Sequence, residues 1–144
     1  MIARRIESVE PGLYHYAPLT RALERLRLLE IPDAVLTQLF LDQSYVANTA
    51  AIFVISAFLH RSMHKYLDRG YRYVLLEAGH VAQNLNLAST ALELGSFNLG
   101  GFFDGFLAQL FALDLEQEVP LYAVALGQPA SANRIASRLA EGVL

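Results

Sequence analysis

Four groups of residues in this chain have types and spacings that could do chemistry. Lys65 and Tyr66 stand side by side, and Lys65 is the only lysine among 144 residues. An amine or a phenol can accept the proton that leaves a carbon next to a breaking C–H bond, and burial lowers a lysine's pKa toward that task. Gly100 and Gly101 follow an apolar stretch and precede a helix-forming one, and glycines there let the backbone approach a planar ring closely. Arg134 and Arg138 lie four apart, so on a helix they share a face suited to a phosphate. His60 and His64 have the same spacing and His80 follows, which raises the question of a metal. The metal reading fails, because there is no HExxH pattern and Arg61 and Lys65 crowd the histidine pair with positive charge. His80, on an apolar helix face, reads as a satisfied core residue. No metal site is expected.

Composition limits what else the chain can be. Hydrophobic residues make up 54% and charged residues 17%, against roughly 45–50% and about 25% in an ordinary soluble domain. The length suits one core and leaves no room for a second. The net charge is −3, and ten of the eleven bases are arginine. No basic stripe exists for nucleic acid. With no cysteine, disulfides, zinc ribbons, iron–sulfur clusters and thiol nucleophiles are excluded. Chemistry must come from His, Lys, Tyr, carboxylates or a bound cofactor. No uncharged stretch reaches the ~20 residues that span a bilayer, so no membrane association is expected. The N-terminus carries two arginines and then an acid, which is no signal peptide. The protein is expected in the cytoplasm. Its apolar excess suggests a large interface with another chain.

These groups need elements to position them. Residues 2–9 alternate weakly as a strand and stop at Glu10-Pro11-Gly12, a turn signature. Residues 13–16 resume as a strand, and residues 22–27 read as a third strand of a meander. Pro32 at a first helical position opens a helix with Val35, Leu36, Leu39 and Phe40 on one stripe. Residues 50–58 form a continuous apolar run, the mark of a buried central strand. From residue 64 to 94 the spacing predicts one long core helix, entered after Gly70 and stopped by Gly95. Residues 96–102 read as a short strand ending in the glycine pair, and Asp104 as the cap of a helix through Leu113. Residues 119–126 are a further apolar strand. No repeat or low-complexity linker appears, so residues 1–144 are expected to form a single α+β domain.

Several blocks carry a resemblance: Pro11-Gly12-Leu13-Tyr14-His15-Tyr16, Lys65-Tyr66 with Arg69-Gly70-Tyr71-Arg72-Tyr73, Glu77-Ala78-Gly79-His80-Val81-Ala82-Gln83-Asn84, Gly100-Gly101-Phe102, Val119-Pro120-Leu121-Tyr122 and Leu126-Gly127-Gln128-Pro129. Together, and in this order, they resemble the SagB-type dehydrogenases of the nitroreductase superfamily. The resemblance implies a nitroreductase-like fold, a central, mainly antiparallel sheet packed by a long core helix. It implies an FMN-dependent oxidoreductase that moves a hydride from a peptide or small-molecule substrate to flavin N5. It also implies a homodimer or hetero-oligomer with FMN at the subunit interface. Asn98, Leu99, Gly100 and Gly101 then form the flavin-edge segment, with a backbone N–H aimed at N5. Lys65 and Tyr66 handle the proton, and Arg134 and Arg138 hold the FMN phosphate. Glu77, His80, Gln83 and Asn84 organise packing near the dimer axis. The chain begins partway into the pattern and matches its C-terminal two thirds. The Arg-rich N-terminal motif that grips the phosphate has no counterpart. A catalytic subunit is therefore weighed against a non-catalytic or degenerate dimerising partner of such an enzyme, and against a plain nitroreductase using nicotinamide.

Overall fold

The computed structural model describes residues 1–129. One six-stranded sheet is formed by β1 (Ile2–Ala3), β2 (Gly12–Ala17), β3 (Ala22–Leu28), β4 (Ala51–Ala57), β5 (Gly95–Leu99) and β6 (Val119–Gly127). The strand order is β3-β2-β1-β4-β6-β5, and every pairing is antiparallel. The helices are α1 (Asp33–Leu39), α2 (Leu59–Tyr66), α3 (Asp68–Ala91) and α4 (Asp104–Phe111), with a short 3-10 turn at Ser44–Asn48. This is the α+β architecture the resemblance implies.

Alternation along the strands sorts side chains onto two faces. Ile52, Leu99, Ala123 and Ala125 face one way and pack with Leu36 and Leu39 of α1 and Leu107 of α4. The opposite face meets α3, where Asn86 Nδ2 donates to Asn98 Oδ1 at 3.1 Å. The buried residues of α3 are Gly70, Val74, Ala78, Ala82 and Ser89, mostly small side chains at four-residue steps that let the helix lie close. At the sheet edge β3 is exposed along its whole length, and Glu24, Arg25 and Arg27 make it a charged edge that resists pairing with another strand.

Four expectations are corrected. The strand over residues 2–9 ends at Ala3, since the Arg4 and Arg5 N–H groups both donate to the Ala50 carbonyl and break the ladder; the chain then turns back with Ser8 at a left-handed φ of 64°, leaving only an Ile6–Val9 bridge. The helix over residues 64–94 is two helices, α2 and α3, broken at Leu67 with φ 51° and ψ −138°. Gly70 is not the residue before entry but lies inside α3 where the two helices cross. A Cβ there would sit 2.7 Å from the Met63 nitrogen and 2.8 Å from its Cα, which is backbone and cannot move aside. Asp104 caps nothing. It is the first helical residue of α4, Phe103 holds the cap position, and no side chain caps the helix.

The fourth correction concerns burial. α3 packs on the sheet as expected through its stripe of small residues, but Tyr71, Leu75, Leu76, Val81 and Leu87 on its other sides are exposed among the described residues. His80 is exposed as well, because the surface it was expected to pack against belongs to no described part of this chain.

The helix crossing gives a direct test. Gly70→Ala is expected to destabilise the chain by about 1–3 kcal/mol through the backbone clash, whereas Gly105→Ala, whose Cβ meets nothing within 4 Å, gains about 0.5–1 kcal/mol of helix propensity. Leu67→Gly relieves the positive φ and is expected to raise stability by about 1 kcal/mol. Urea denaturation of the three variants reads these signs.

Candidate functional site

The Gly100–Gly101 turn is held from three sides. Leu99 is buried in the core at 1% exposure, so this residue offers the site its backbone alone. Behind Gly100 stands the Tyr122 ring, 3.6 Å from where a Cβ would be, an ordinary contact. Gly101 lies against Leu41 and Gln43, and the Phe103 N–H donates to the Leu39 carbonyl at 3.0 Å. Phe102 packs edge-on to Phe40. The N–H groups of Gly101 and Phe102 donate to no carbonyl among the described residues. Gly100 itself is exposed. The chain's own packing thus does not require glycine at position 100, and free backbone donors sit beside it. Both features fit the edge of a planar ring that accepts hydrogen bonds.

Asn98 sits on the α3 side of this turn. Its partner Asn86 keeps a buried Oδ1 with no hydrogen-bond partner, a polar atom that still needs a donor. The sequence names Tyr122 only as the end of the Val119-Pro120-Leu121-Tyr122 block, with no role at the turn, and does not single out Asn86. Tyr122 is hidden within an apolar strand, and Asn86 falls inside a helical repeat.

Arg4 positions the segment that presses on Gly101. Its guanidinium, with the side chain 7% exposed, pairs with Asp33 at the start of α1. It also donates to the carbonyls of Ala47 at 2.8 Å and Thr49 at 3.2 Å. These bonds tie β1 to α1 and to the 3-10 turn.

Lys65 and Tyr66 lie on the last turn of α2, both exposed. The Lys65 Nζ is 5.1 Å from the Tyr66 ring centroid, and that ring stacks edge-on with Tyr73 at 5.1 Å. Neither side chain is buried by the described residues. Nor does the fold bring this pair to the glycine turn. Strands β4 and β5 both run antiparallel to β6, so α2 and the Gly100–Gly101 turn leave the same end of the sheet. Asp68 precedes the anchored Asn86 by eighteen residues, or about 27 Å of helix at ~1.5 Å per residue. Gly100 is only about 7 Å beyond Asn98. With α3 taken as parallel to β5, the Lys65–Tyr66 tip overhangs the turn by roughly 20 Å.

Two hollows flank this arm. A groove of about 790 Å³ between α3 and the β2–β3 hairpin is lined by Tyr14, Tyr16, Phe53, Phe58, Val81 and Leu85, with Ser56 donating to Glu118 at one end. Met1 also lines the groove; its amine donates to the Tyr14 carbonyl, and burial lowers the pKa of this amine from 8.0 to about 6. A second cleft, about 710 Å³, holds His60, Arg61, His64 and Glu116. Among the described residues, no group of three or more His, Asp or Glu is placed to hold a metal ion, and no helix is long and apolar enough to cross a membrane. Arg134 and Arg138 lie outside the described residues. Glu77, Gln83 and Asn84 are exposed beside His80.

The model of the nitroreductase family matches residues 11–128, and the chain belongs to that family. It is 34% identical over 125 residues to the nitroreductase-family protein MJ1384 of Methanocaldococcus jannaschii, across 87% of this chain and 61% of that one. It is 27% identical over 110 residues to the microcin B17-processing protein McbC of Escherichia coli, across 76% of this chain and 40% of McbC. A crystal structure of a nitroreductase-like protein from Anabaena variabilis superimposes with a TM-score of 0.79 at 34% identity, over 86% of this chain and 25% of the other. The chain thus spans about three fifths and two fifths of the lengths of the two curated relatives.

The Arg4 anchor is open to test. Arg4→Ala leaves several carbonyls of the 3-10 turn without a donor and is expected to destabilise by about 2–3 kcal/mol, while Arg5→Ala, half exposed at 52%, changes stability by less than about 1 kcal/mol. Equal effects in a thermal melt would remove the anchoring role.

Proposed function

We propose that the chain is an FMN-dependent oxidoreductase subunit of SagB type, working as a dimer with FMN at the subunit interface. The observation that carries this reading is the turn at Gly100 and Gly101, where unbonded backbone N–H groups stand next to a position that packing leaves open. Nitroreductase-family proteins commonly use FMN, which supplies a two-electron acceptor for hydride when bound. Gly100 and Gly101 would lie against its ring, and Asn98 would turn its amide toward it. The Gly101 N–H offers a hydrogen bond to negative charge that grows as hydride arrives. Lys65 or Tyr66 takes the proton from the atom next to the oxidised carbon, so one C–H and one X–H bond break and a C=X bond forms. The similarity to McbC, whose name records processing of microcin B17, supports a peptide substrate. Arg134 and Arg138 are proposed for the FMN phosphate.

A second reading is a dimerising subunit without its own chemistry, favoured by the roughly 20 Å between Lys65 and the glycine turn within one chain. Colour separates the two. The purified protein, alone or co-expressed with a partner chain, is expected to be yellow with near-stoichiometric flavin absorbance, and a colourless protein in both preparations sinks the enzyme reading. Gly100→Val is expected to weaken flavin binding at least tenfold with an unchanged melting temperature, since a β-carbon there meets only the Tyr122 ring at 3.6 Å. Lys65→Ala is expected to keep the flavin and lose dehydrogenation.

A further inference from the structure

Three large apolar side chains border the Gly100–Gly101 turn without serving the fold of the described residues. Leu41 stands at a left-handed φ of 54°, a conformation that favours glycine or asparagine at a helix end. It is 46% exposed, and its Cδ1 lies 2.9 Å from where a Gly101 Cβ would be. Phe103 holds the cap position of α4, where a short polar side chain would accept from the free N–H groups of the first turn. Phe103 is 44% exposed, and Phe106 is 60% exposed on a helix whose buried residues are Leu107 and Ala108. The Phe103 and Phe106 rings meet edge-on with centroids 5.9 Å apart. The hydrogen bond from the Phe103 N–H to the Leu39 carbonyl holds the start of α4 against the end of α1. Leu41, Phe103 and Phe106 thus make one apolar ledge that leads away from Gly101. Local preferences overridden three times beside one turn mark a contact with something outside the fold.

Negative charge frames this ledge. Asp42 and Asp104, the neighbours of Leu41 and Phe103 in the chain, are exposed and in no ion pair among the described residues. Residues 28–60 and 73–129 contain no lysine or arginine, and they supply α1, β4, β5, α4 and β6. Arg27 reaches α4 only at its far end, where it donates to the Leu110 carbonyl at 3.2 Å.

We propose that the ledge binds the substrate peptide beside the reacting residue, seating an apolar or aromatic side chain on Leu41, Phe103 and Phe106 with a lysine or arginine next to it facing Asp42 and Asp104. The inference rests on the oxidoreductase reading and names the sequence context that its site selects. Paired aromatic rings give a large contact area with few torsions to freeze. A cation beside them gains from the two carboxylates and from the ring faces. Reach fits a peptide as well. From Gly101 to Phe106 the chain runs two extended steps and then three helical ones, about 11–12 Å at most. An extended peptide covers that length in three or four residues at ~3.3 Å each, so the seated side chain lies within about four residues of the one oxidised.

Three fluorescein-labelled probe peptides test this by anisotropy against the full chain, co-expressed with a partner chain if that is what makes it yellow. The first carries adjacent phenylalanine and arginine in a glycine–serine frame, the second has alanine for the phenylalanine, and the third has glutamate for the arginine. Each replacement is expected to weaken binding about tenfold at low salt. Phe106→Ser should remove the advantage of phenylalanine over alanine, with melting temperature and flavin absorbance unchanged because the side chain is exposed. Asp42→Lys with Asp104→Lys gives an independent reading and should turn the preference from arginine to glutamate. Equal binding of the three probes, or preferences that survive these substitutions, overturns the inference. So does a Phe106→Ser chain whose mass changes in sedimentation analysis, since the ledge is then a contact between copies. A colourless protein that discriminates the probes removes the oxidoreductase reading and leaves the ledge standing, while a yellow protein that binds all three alike does the reverse.

Discussion

Strand β6 is hydrogen-bonded on both sides, to β4 and to β5, and both neighbours run opposite to it. That constraint decides where chemistry can sit. Because β4 and β5 point the same way, the helical arm that follows one and the glycine turn that follows the other emerge from the same end of the sheet. Alternation then assigns the faces, with Ala123 and Ala125 turned to α1 and α4 and Val124 turned to α3 with its neighbour Asn98. Once Asn86 on α3 bonds Asn98 on β5, the level of the long helix is set. Its length carries everything before Asn86 out beyond the sheet.

The overhang explains the apolar excess. A helix that buries only a stripe of small residues against its own sheet leaves Tyr71, Leu75, Leu76 and Leu87 in the open. Burying such side chains is worth about 1.5–3 kcal/mol each, so a chain with this many of them exposed has a strong drive to associate. The same helix joins α2 at a crossing close enough that Gly70 has no room for a β-carbon, which makes the pair a stiff projection rather than a loose excursion. Stiffness matters, because a proton-handling group has to be held near its substrate to contribute.

Much of the architecture was legible in the residues. The turn at Glu10-Pro11-Gly12, the helix opened by Pro32, the apolar run of β4 and the glycines ending β5 are local signals, and the fold follows them. What misled was periodicity across Leu67. The apolar spacing of α2 and α3 continues in phase, so one helix is the natural reading, and nothing about a leucine announces a positive φ. His80 misled for a related reason, since an apolar stripe tells that a face will be covered but not by which chain. Arg4 reads in the sequence only as one of two arginines near the N-terminus, yet its side chain is buried on carbonyls more than forty residues away, a partnership that only the folded chain creates.

The sequence by itself determined the element types, the two-faced strands and the presence of a lysine–tyrosine pair and a glycine pair, because these depend on side-chain chemistry and short-range spacing. The tertiary structure alone decided that the two pairs sit on separate elements leaving the same end of the sheet, and that α3 is open along one side among the described residues. Those facts are set by strand direction, by the level of one Asn–Asn contact and by the backbone sign at Leu67, and no local pattern of residues encodes a distance between elements that meet only when the sheet closes.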